Sequence, residues 1–363
     1  MTKYLSRKIK FMSLFLIIGV VFIHSYNYKD TFLTPTTTIS EGFSLGAMFE
    51  YFISNGLAKF AVPMFFAISG YLFFRTFNFS FKSYGYKLKS RFFSLFIPFV
   101  IWTTLAGSFL LTISNFEPFA SLPIVNEKIG FAKDNGIMGI LSWFINSPAF
   151  QLWYVQQLII FTVISPLIYL AIKYTKGIII APFIILWLTD LSFIINSEAI
   201  LFFMLGACIA IFDKESFVLQ KESKIFTVVI TIIWVTINII KTYIATFTET
   251  TPLYVSKLLL TKVSVIVGII AMWLLFDHIV KRIENKKGLL LISSHMFFIY
   301  TLHEPLLHIC YQLGLITSAS TAAHIALYIC IPISIIAFSV IVSMFVRKVC
   351  LPLHKVLTGN RSY

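Results

Sequence analysis

Long runs of apolar residues recur along this chain and limit its possible folds more than any other feature. A helix needs about 20 apolar residues to cross a hydrocarbon layer of roughly 30 Å. Because backbone in contact with lipid must satisfy its own hydrogen bonds, we predict an all-α fold, a polytopic bundle of about ten transmembrane helices. The candidate runs lie at about 10–26, 45–74, 91–114, 150–173, 177–190, 198–213, 224–245, 254–278, 288–312 and 322–347.

The composition excludes the water-soluble classes of protein. Of the 363 residues, 58% are hydrophobic and only 12% are charged. In soluble domains about a quarter of the residues are charged. This chain has too few polar residues to cover a globule, so a cytosolic enzyme, a coiled coil and a disordered protein are all excluded. We therefore interpret 1–363 as a single integral-membrane domain.

The net charge of +14 is explained by where the cations lie, so we predict no nucleic-acid partner. With the N-terminus inside, 22 of the 29 Lys and Arg residues fall in inner segments and two, Lys59 and Lys262, fall in spans. Cytoplasmic loops carry such an excess of cations. We predict a protein surrounded by the lipids of the cell (inner or plasma) membrane, with both termini cytoplasmic. The outer segments hold Lys29, Lys128, Lys133, Lys241 and Lys257.

Interruptions in the apolar runs predict local breaks. Asn55-Gly56 and Pro63 indicate a break or kink in the second run. The fifth and sixth runs are short, so they are either a re-entrant pair or tilted helices. Several Pro and Gly residues at 115–149 indicate a structured extracytoplasmic loop. The four cysteines have no metal-ligand spacing, and we predict no metal site.

Polar residues from four spans share one predicted depth, towards the outer leaflet. At about 1.5 Å per helical residue, His24 lies roughly 21 Å from the inner face, His303 roughly 22 Å and Lys59 roughly 24 Å. Gln156 and Gln157 lie at roughly 24–26 Å. Polar groups at such depth are costly and mark functional sites. Agreement in height therefore favours one shared site.

Each of these residues also has a structural interpretation. A lone histidine in an apolar helix is more often a hydrogen-bonded packing residue than a catalyst. Lys59 can extend its ammonium group towards water. Gln156 and Gln157 can join helices by hydrogen bonds, which is the favoured interpretation for Gln157. We interpret the remaining histidines as structural or interfacial; they are His278, His295, His308, His324 and His354.

The inner loop from Arg75 to Arg91 contains five cations and no acidic residue; the other three are Lys82, Lys87 and Lys89. Such a group suits a multiply charged phosphate ligand. The alternative is that these cations only set the topology. Small residues at Ser69-Gly70, just before this loop, allow close approach by a helix or by a slender ligand.

Several motifs, in order, resemble the acyltransferase-3 family of integral-membrane acyltransferases. Residues 17–24 (IIGVVFIH) resemble the first helix of the family, which ends in an essential histidine. Residues 65–72 (FFAISGYL) match its FF-x-ISG-[FY]-L motif. Further similarities lie at Arg91 with 96–102 (FIPFVIW), 152–155 (LWYV), 203–206 (FMLG) and 294–303, which ends in IYTLH. Two positions where the family has arginine hold Ser13 and Ser94 here.

The resemblance implies transfer of an acyl group, most often acetyl, from cytoplasmic acyl-CoA to a hydroxyl of an extracytoplasmic or lipid-linked glycan. Acetyl-CoA is then the expected co-substrate. Its phosphates would bind the inner cations, and its pantetheine arm would pass Ser69 and Gly70. The cofactor-binding candidates are thus Arg75, Lys87, Lys89, Arg91, Ser69 and Gly70.

The catalytic candidates are His24, His303, Lys59 and Glu304. An imidazole can accept the proton of a sugar hydroxyl, and we expect His24 to be this base. His303 would orient the acceptor or His24, and Lys59 or a nearby amide donor would stabilise the thioester oxyanion. An acyl-histidine intermediate is an open alternative. We assign the acceptor to Trp153, Tyr154 and Gln156.

Two other classes of function fit part of the pattern. A secondary transporter would use His24, Lys59 and Glu304 for proton coupling, although no inverted repeat is visible in the sequence. A membrane-embedded sensor or scaffold would tolerate the replaced arginine at Ser13.

Overall fold

The computed structural model describes residues 2–26, 34–212, 223–313 and 320–360. Within these ranges all regular structure is helical, which confirms the predicted all-α class. Four cations used above to predict the orientation lie outside the described residues; they are Lys29, Lys214, Lys221 and Arg361.

Sixteen α-helices lie within the described ranges. They are α1 (Lys3–Ile23), α2 (Leu45–Tyr51), α3 (Ala61–Phe74), α4 (Phe81–Arg91), α5 (Ile97–Ile113), α6 (Pro123–Ser142), α7 (Trp153–Val163), α8 (Ser165–Tyr174), α9 (Ile180–Leu188), α10 (Ser197–Ile211), α11 (Lys224–Ala245), α12 (Thr251–Ile283), α13 (Lys287–Ser293), α14 (Met296–Gln312), α15 (Thr321–Val349) and α16 (Leu351–Leu357).

The chain forms two compact units, each built from two stretches of sequence. The first unit comprises Met1–Phe79 and Ser165–Ser294. It contains α1–α3 and α8–α13, with α3 packed along α10 and α11 packed along α12. The second unit comprises Ser80–Ile164 and His295–Tyr363. It contains α4–α7 and α14–α16, with α14 packed along α15 and the short α16 packed on α5.

The predicted break in the second apolar run is present. A π-helical turn (Phe52–Leu57) contains Asn55-Gly56 and is followed by a short non-helical link before α3 begins. Pro63 lies in the first turn of α3, where its missing N–H costs no helical hydrogen bond. The break therefore lies at the polar residues, and the proline starts the next helix.

The loop predicted at 115–149 is structured and contains α6. This helix is interrupted at Gly136, whose φ of 55° lies in the left-handed region that glycine adopts without steric cost. The buried side chains of Val125 and Ile129 on α6 form a small core with Leu110 of α5. Its predicted position on the outer side of the membrane stays a prediction.

Within the described residues, five helical runs are long and apolar enough to cross a membrane, and a sixth is added if the bent pair α7–α8 forms one span. Every predicted run contains a helix, but α9 has only nine residues and is about 14 Å long. The predicted count of about ten spans is thus not confirmed. On α11, Ile232, Ile233, Ile239 and Ile240 are exposed, as expected of a face in contact with lipid.

Candidate active site

His24 lies at the C-terminal end of α1, in the first unit, and its side chain is half-buried. Hydroxyl groups hold the backbone just around it. Ser25 Oγ donates to the Val21 carbonyl at 2.6 Å. Ser54 Oγ, from the π-helical turn, donates to the Phe22 carbonyl, also at 2.6 Å. The imidazole therefore projects from a helix end whose backbone position is fixed on two sides.

Lys59 lies in the link between the π-helical turn and α3, also in the first unit. Its ammonium group interacts electrostatically with Glu198 and Asp190, and with the cations Lys262 and Lys241. Asp190 accepts a hydrogen bond from Lys262 Nζ at 3.0 Å. Lys59 thus belongs to a cluster that contains both signs of charge.

Two cations that the charge count placed in outer segments are fully buried instead. Lys241 Nζ donates to the backbone carbonyl of Asn55. Lys257 Nζ donates to Thr38 Oγ1 at 2.7 Å and pairs with Glu249 Oε2 at 3.3 Å. Hydrogen-bond partners lower the cost of such burial. A count of charges along the sequence could not reveal the Asn55 and Thr38 contacts, because these residues lie far from Lys241 and Lys257 in the chain.

His303 lies in α14 of the second unit and is fully buried. Its Nδ1 atom lies 3.1 Å from the carbonyl oxygen of Ile299, one helical turn earlier. Because a carbonyl can only accept, Nδ1 carries the hydrogen of this bond and Nε2 of the neutral ring carries the lone pair. The contact therefore fixes the tautomer and presents a basic nitrogen on the opposite side of the ring.

The helix α14 is broken immediately after His303. Glu304 has φ −104° and ψ 136°, outside the helical region, and Pro305 follows it. Gln151 Nε2 donates to the carbonyl oxygens of Thr301 and Glu304, both at 2.9 Å. Sequence reasoning missed Gln151. The available signal was Pro305, because a proline inside a helix leaves the carbonyl four residues earlier without its usual donor.

Glu304 and His308 form a buried pair. Glu304 Oε2 lies 2.6 Å from His308 Nδ1. We interpreted His308 above as structural, but it contacts a catalytic candidate. The spacing of four residues was the signal that could have found it, because such side chains lie on one face of a helix. The carboxylate is consequently held by the imidazole.

The three residues assigned to the acceptor all lie on α7 of the second unit. The Tyr154 ring packs edge-on against Tyr300 at 6.2 Å between centroids, and the Tyr300 ring lies 6.4 Å from that of His303. Gln156 Nε2 donates to the carbonyls of Phe144 and Ile145, so its amide nitrogen is engaged in holding a loop. Trp153 begins α7 and is half-buried. Their roles towards a substrate stay predictions.

The predicted phosphate-binding cations are divided between the two units. Arg75 directly follows the last residue of α3 in the first unit, with its guanidinium group 5.9 Å from the Tyr71 ring. Lys87, Lys89 and Arg91 lie on α4 in the second unit, where Lys89 is exposed and Lys87 is buried. Their binding of a donor also stays a prediction.

The small residues at the end of α3 allow a close helix contact. A Cβ atom on Gly70 would lie 2.0 Å from the carbonyl oxygen of Phe203 in α10. Gly206 matches it, since a Cβ there would lie 1.9 Å from the carbonyl oxygen of Ala67. Of the two alternatives, close approach by a helix is therefore the one present at Gly70. Ser69 is half-buried and stays a candidate for contact with a ligand.

In the part of the chain that the structure describes, no group of three or more His, Cys, Asp or Glu side chains could hold a metal ion. The four cysteines, all of them within the described residues, are not joined in disulfide bonds.

Comparison with known proteins supports the resemblance of the motifs. The acyltransferase-3 family, described as an acyltransferase domain, matches residues 8–347. No curated protein and no solved structure shows a significant match to the chain. The family match includes His24, Lys59 and His303 and extends over nearly the whole chain, and on this basis the chain belongs to the acyltransferase-3 family of membrane acyltransferases.

Proposed function

We propose that the protein transfers an acyl group, acetyl in the first instance, from cytoplasmic acyl-CoA to a hydroxyl of an extracytoplasmic or lipid-linked glycan. The family match over residues 8–347 carries this proposal. His24 and His303, which end two of the family-like motifs, support the proposal, because the backbone around each is held in place by hydrogen bonds. His24 lies at a helix end and His303 lies beside a helix break.

In the proposed reaction, His24 acts as the general base. Its imidazole accepts the proton of the acceptor hydroxyl while the hydroxyl oxygen attacks the thioester carbonyl carbon. The new C–O bond forms, the C–S bond breaks, and the sulfur leaves as CoA and takes up the proton. A sugar hydroxyl is a weak nucleophile near neutral pH, so a base contributes typically 10²–10⁴-fold to its rate of attack.

The other catalytic candidates would assist this step. The Nε2 lone pair of His303 would accept a hydrogen bond from the acceptor and orient it. Glu304, paired with His308, would stabilise the partial positive charge that develops on the adjacent His303 imidazole. The Lys59 ammonium group would stabilise the negative charge on the thioester oxygen.

The donor would bind through cations and small residues. Arg75, Lys87, Lys89 and Arg91 would pair with the phosphates of CoA, because ammonium and guanidinium groups suit multiply charged phosphates. The pantetheine arm would pass Ser69.

The experiment uses membranes from cells with and without the protein, incubated with isotopically labelled acetyl-CoA. The label is expected in the glycan fraction and is expected to be released by mild alkali, as an O-ester is. Succinyl-CoA in a parallel incubation tests the choice of acyl group by the mass added to the glycan. Movement of a solute across these membranes with no dependence on CoA would contradict the proposal and favour a transporter.

A further inference from the structure

The hydrogen bonds that Gln151 makes replace those of a continuous helix. In an unbroken α14, the Thr301 carbonyl would accept from the N–H of residue 305, and the Glu304 carbonyl would accept from that of His308. Pro305 has no N–H, and the ψ of 136° at Glu304 turns that carbonyl away from the helix. The two donors of one amide group serve both carbonyls at 2.9 Å.

The position of Gln151 is itself fixed. The residue is only 2% exposed, and its backbone carbonyl accepts a hydrogen bond from Tyr300 Oη at 2.7 Å. The two carbonyls require the amide nitrogen to face them, because the amide oxygen would repel both. Gln151 is therefore held by α14 and in turn holds the broken helix.

The break separates two polar arrangements. Before it, His303 Nδ1 bonds to Ile299; after it, His308 Nδ1 bonds to Glu304 Oε2. The extended backbone at Glu304 sets the angle between the two helical segments, and hence the direction of His303 relative to the Glu304–His308 pair. A side chain that stabilises this backbone controls that direction.

We propose that Gln151 is a positioning residue for acyl transfer, whose side-chain amide maintains the break at Glu304 and thereby orients the His303 imidazole. This inference rests on the proposed function. A capping role alone would make Gln151 important for stability and for nothing else. The two roles predict different activities for a variant in which another donor bonds the two carbonyls.

The test compares Gln151→Leu with the double variant Gln151→Leu/Pro305→Ala in purified protein. In the single variant two buried carbonyls lose their donor, so we expect a lower Tm and a kcat reduced tenfold or more, with KM for the acyl donor within twofold of wild type. In the double variant, the alanine that replaces Pro305 supplies an N–H, and α14 can become continuous. We expect its Tm to recover while its kcat remains at least tenfold reduced.

Asn115→Leu is the matched control. Asn115 also uses one side-chain amide to bond two helical carbonyls, those of Leu111 and Thr112, but it is exposed at the end of α5. We expect wild-type kcat and KM from it.

Three outcomes of this series would overturn the inference. Recovery of both Tm and kcat in the double variant would reduce Gln151 to a cap, and so would a wild-type kcat in Gln151→Leu. A double variant that fails to regain Tm would contradict the hydrogen-bond replacement itself. Absence of acyl transfer in the wild-type protein would instead refute the proposed function, and the Tm series would still test the replacement.

Discussion

Several buried lysine side chains in this protein pair with a carboxylate. Lys8 and Asp277 illustrate this best. Lys8 Nζ lies 2.6 Å from Asp277 Oδ1, and the Tyr4 hydroxyl donates to the same oxygen, also at 2.6 Å. The Trp273 ring lies 3.7 Å from the ammonium group. The pair joins α1 to α12 and so fixes the helix that ends in His24.

Asp277→Leu is expected to destabilise the protein by about 3–5 kcal/mol, because it removes the carboxylate that faces a buried cation. The double variant Lys8→Met/Asp277→Leu is expected to recover most of this loss, since two apolar side chains can replace a buried pair. Thermal unfolding in detergent measures both. Asp277→Leu with a wild-type Tm would show that the pair contributes nothing.

Candidate functional residues could be predicted from the sequence where the residue type alone makes burial in an apolar run costly in free energy. His24, Lys59 and His303 could be selected from the sequence because ionisable groups in apolar runs require an explanation. Gln151 and Lys241 could not, because their importance depends on carbonyl groups of residues distant in the chain. Depth along a helix predicts height in the membrane, but it does not predict which backbone atoms a side chain meets.

At the scale of secondary-structure elements, the short helix α16 is held by polar and aromatic contacts. Ser343 Oγ lies 2.7 Å from His295 Nδ1 and 3.0 Å from His354 Nε2. His354 also stacks on Phe298 at 5.3 Å between centroids. Burial of His354, together with the nearby positive charge of Arg347, lowers its pKa below the usual value. The neutral form of His354 is therefore the one that suits the folded state.

Attachment of α16 is expected to weaken in acid. Because the pKa of His354 is lower in the folded protein than in the unfolded chain, the unfolded chain binds more protons as pH falls below about 6.5. The stability that the neutral imidazole contributes is present above that pH and is lost as pH falls through the lowered pKa. Hydrogen exchange of 351–357 between pH 7.5 and 5 is the measurement. We expect His354→Phe to reduce the pH dependence of this exchange. Equal exchange rates at both pH values in the wild-type protein would contradict the prediction.

Neutralising Lys87, Lys89 and Arg91 on α4 is expected to raise KM for the acyl donor more than it lowers kcat. Contacts to phosphates act alike in the bound substrate and in the transition state, so their loss weakens binding and leaves the chemical step nearly unchanged. Steady-state kinetics with acyl-CoA provides the measurement. The control is Lys128→Gln/Lys133→Gln, which also neutralises lysines, but on α6 outside the proposed donor site. A fall in kcat at unchanged KM would contradict this prediction and indicate that these cations act in the chemical step or in folding.

The bounds of a helix could be predicted well where the ends of the apolar run coincide with the ends of the helix. The run at 224–245 matches α11 at both ends. By contrast, α12 extends from Thr251 to Ile283, beyond the apolar run at both ends, because polar residues such as Lys281 and Arg282 continue the helix outside the apolar part. The break at Glu304 was missed, since an apolar run with a proline still has the hydropathy of a span.

For the whole molecule, the scarcity of charge decided the class, and the order of motifs decided the family. Among the described residues, the five helical runs long and apolar enough to cross a membrane support that class, and the match over residues 8–347 confirms the family. The division into two units was not predicted. Each unit joins two distant stretches of sequence, and hydropathy contains no information on which helices pack together.

Base catalysis by His24 is tested most directly by the rate of acyl-CoA-dependent O-acylation in purified wild-type protein and in His24→Ala, at equal amounts of folded protein. The predicted result is a loss of roughly 10²–10⁴-fold in kcat, with KM for the donor little changed. His324→Ala, which alters a histidine outside the proposed site, should retain the wild-type rate. Equal rates in His24→Ala and wild type would contradict the role of His24 as the base.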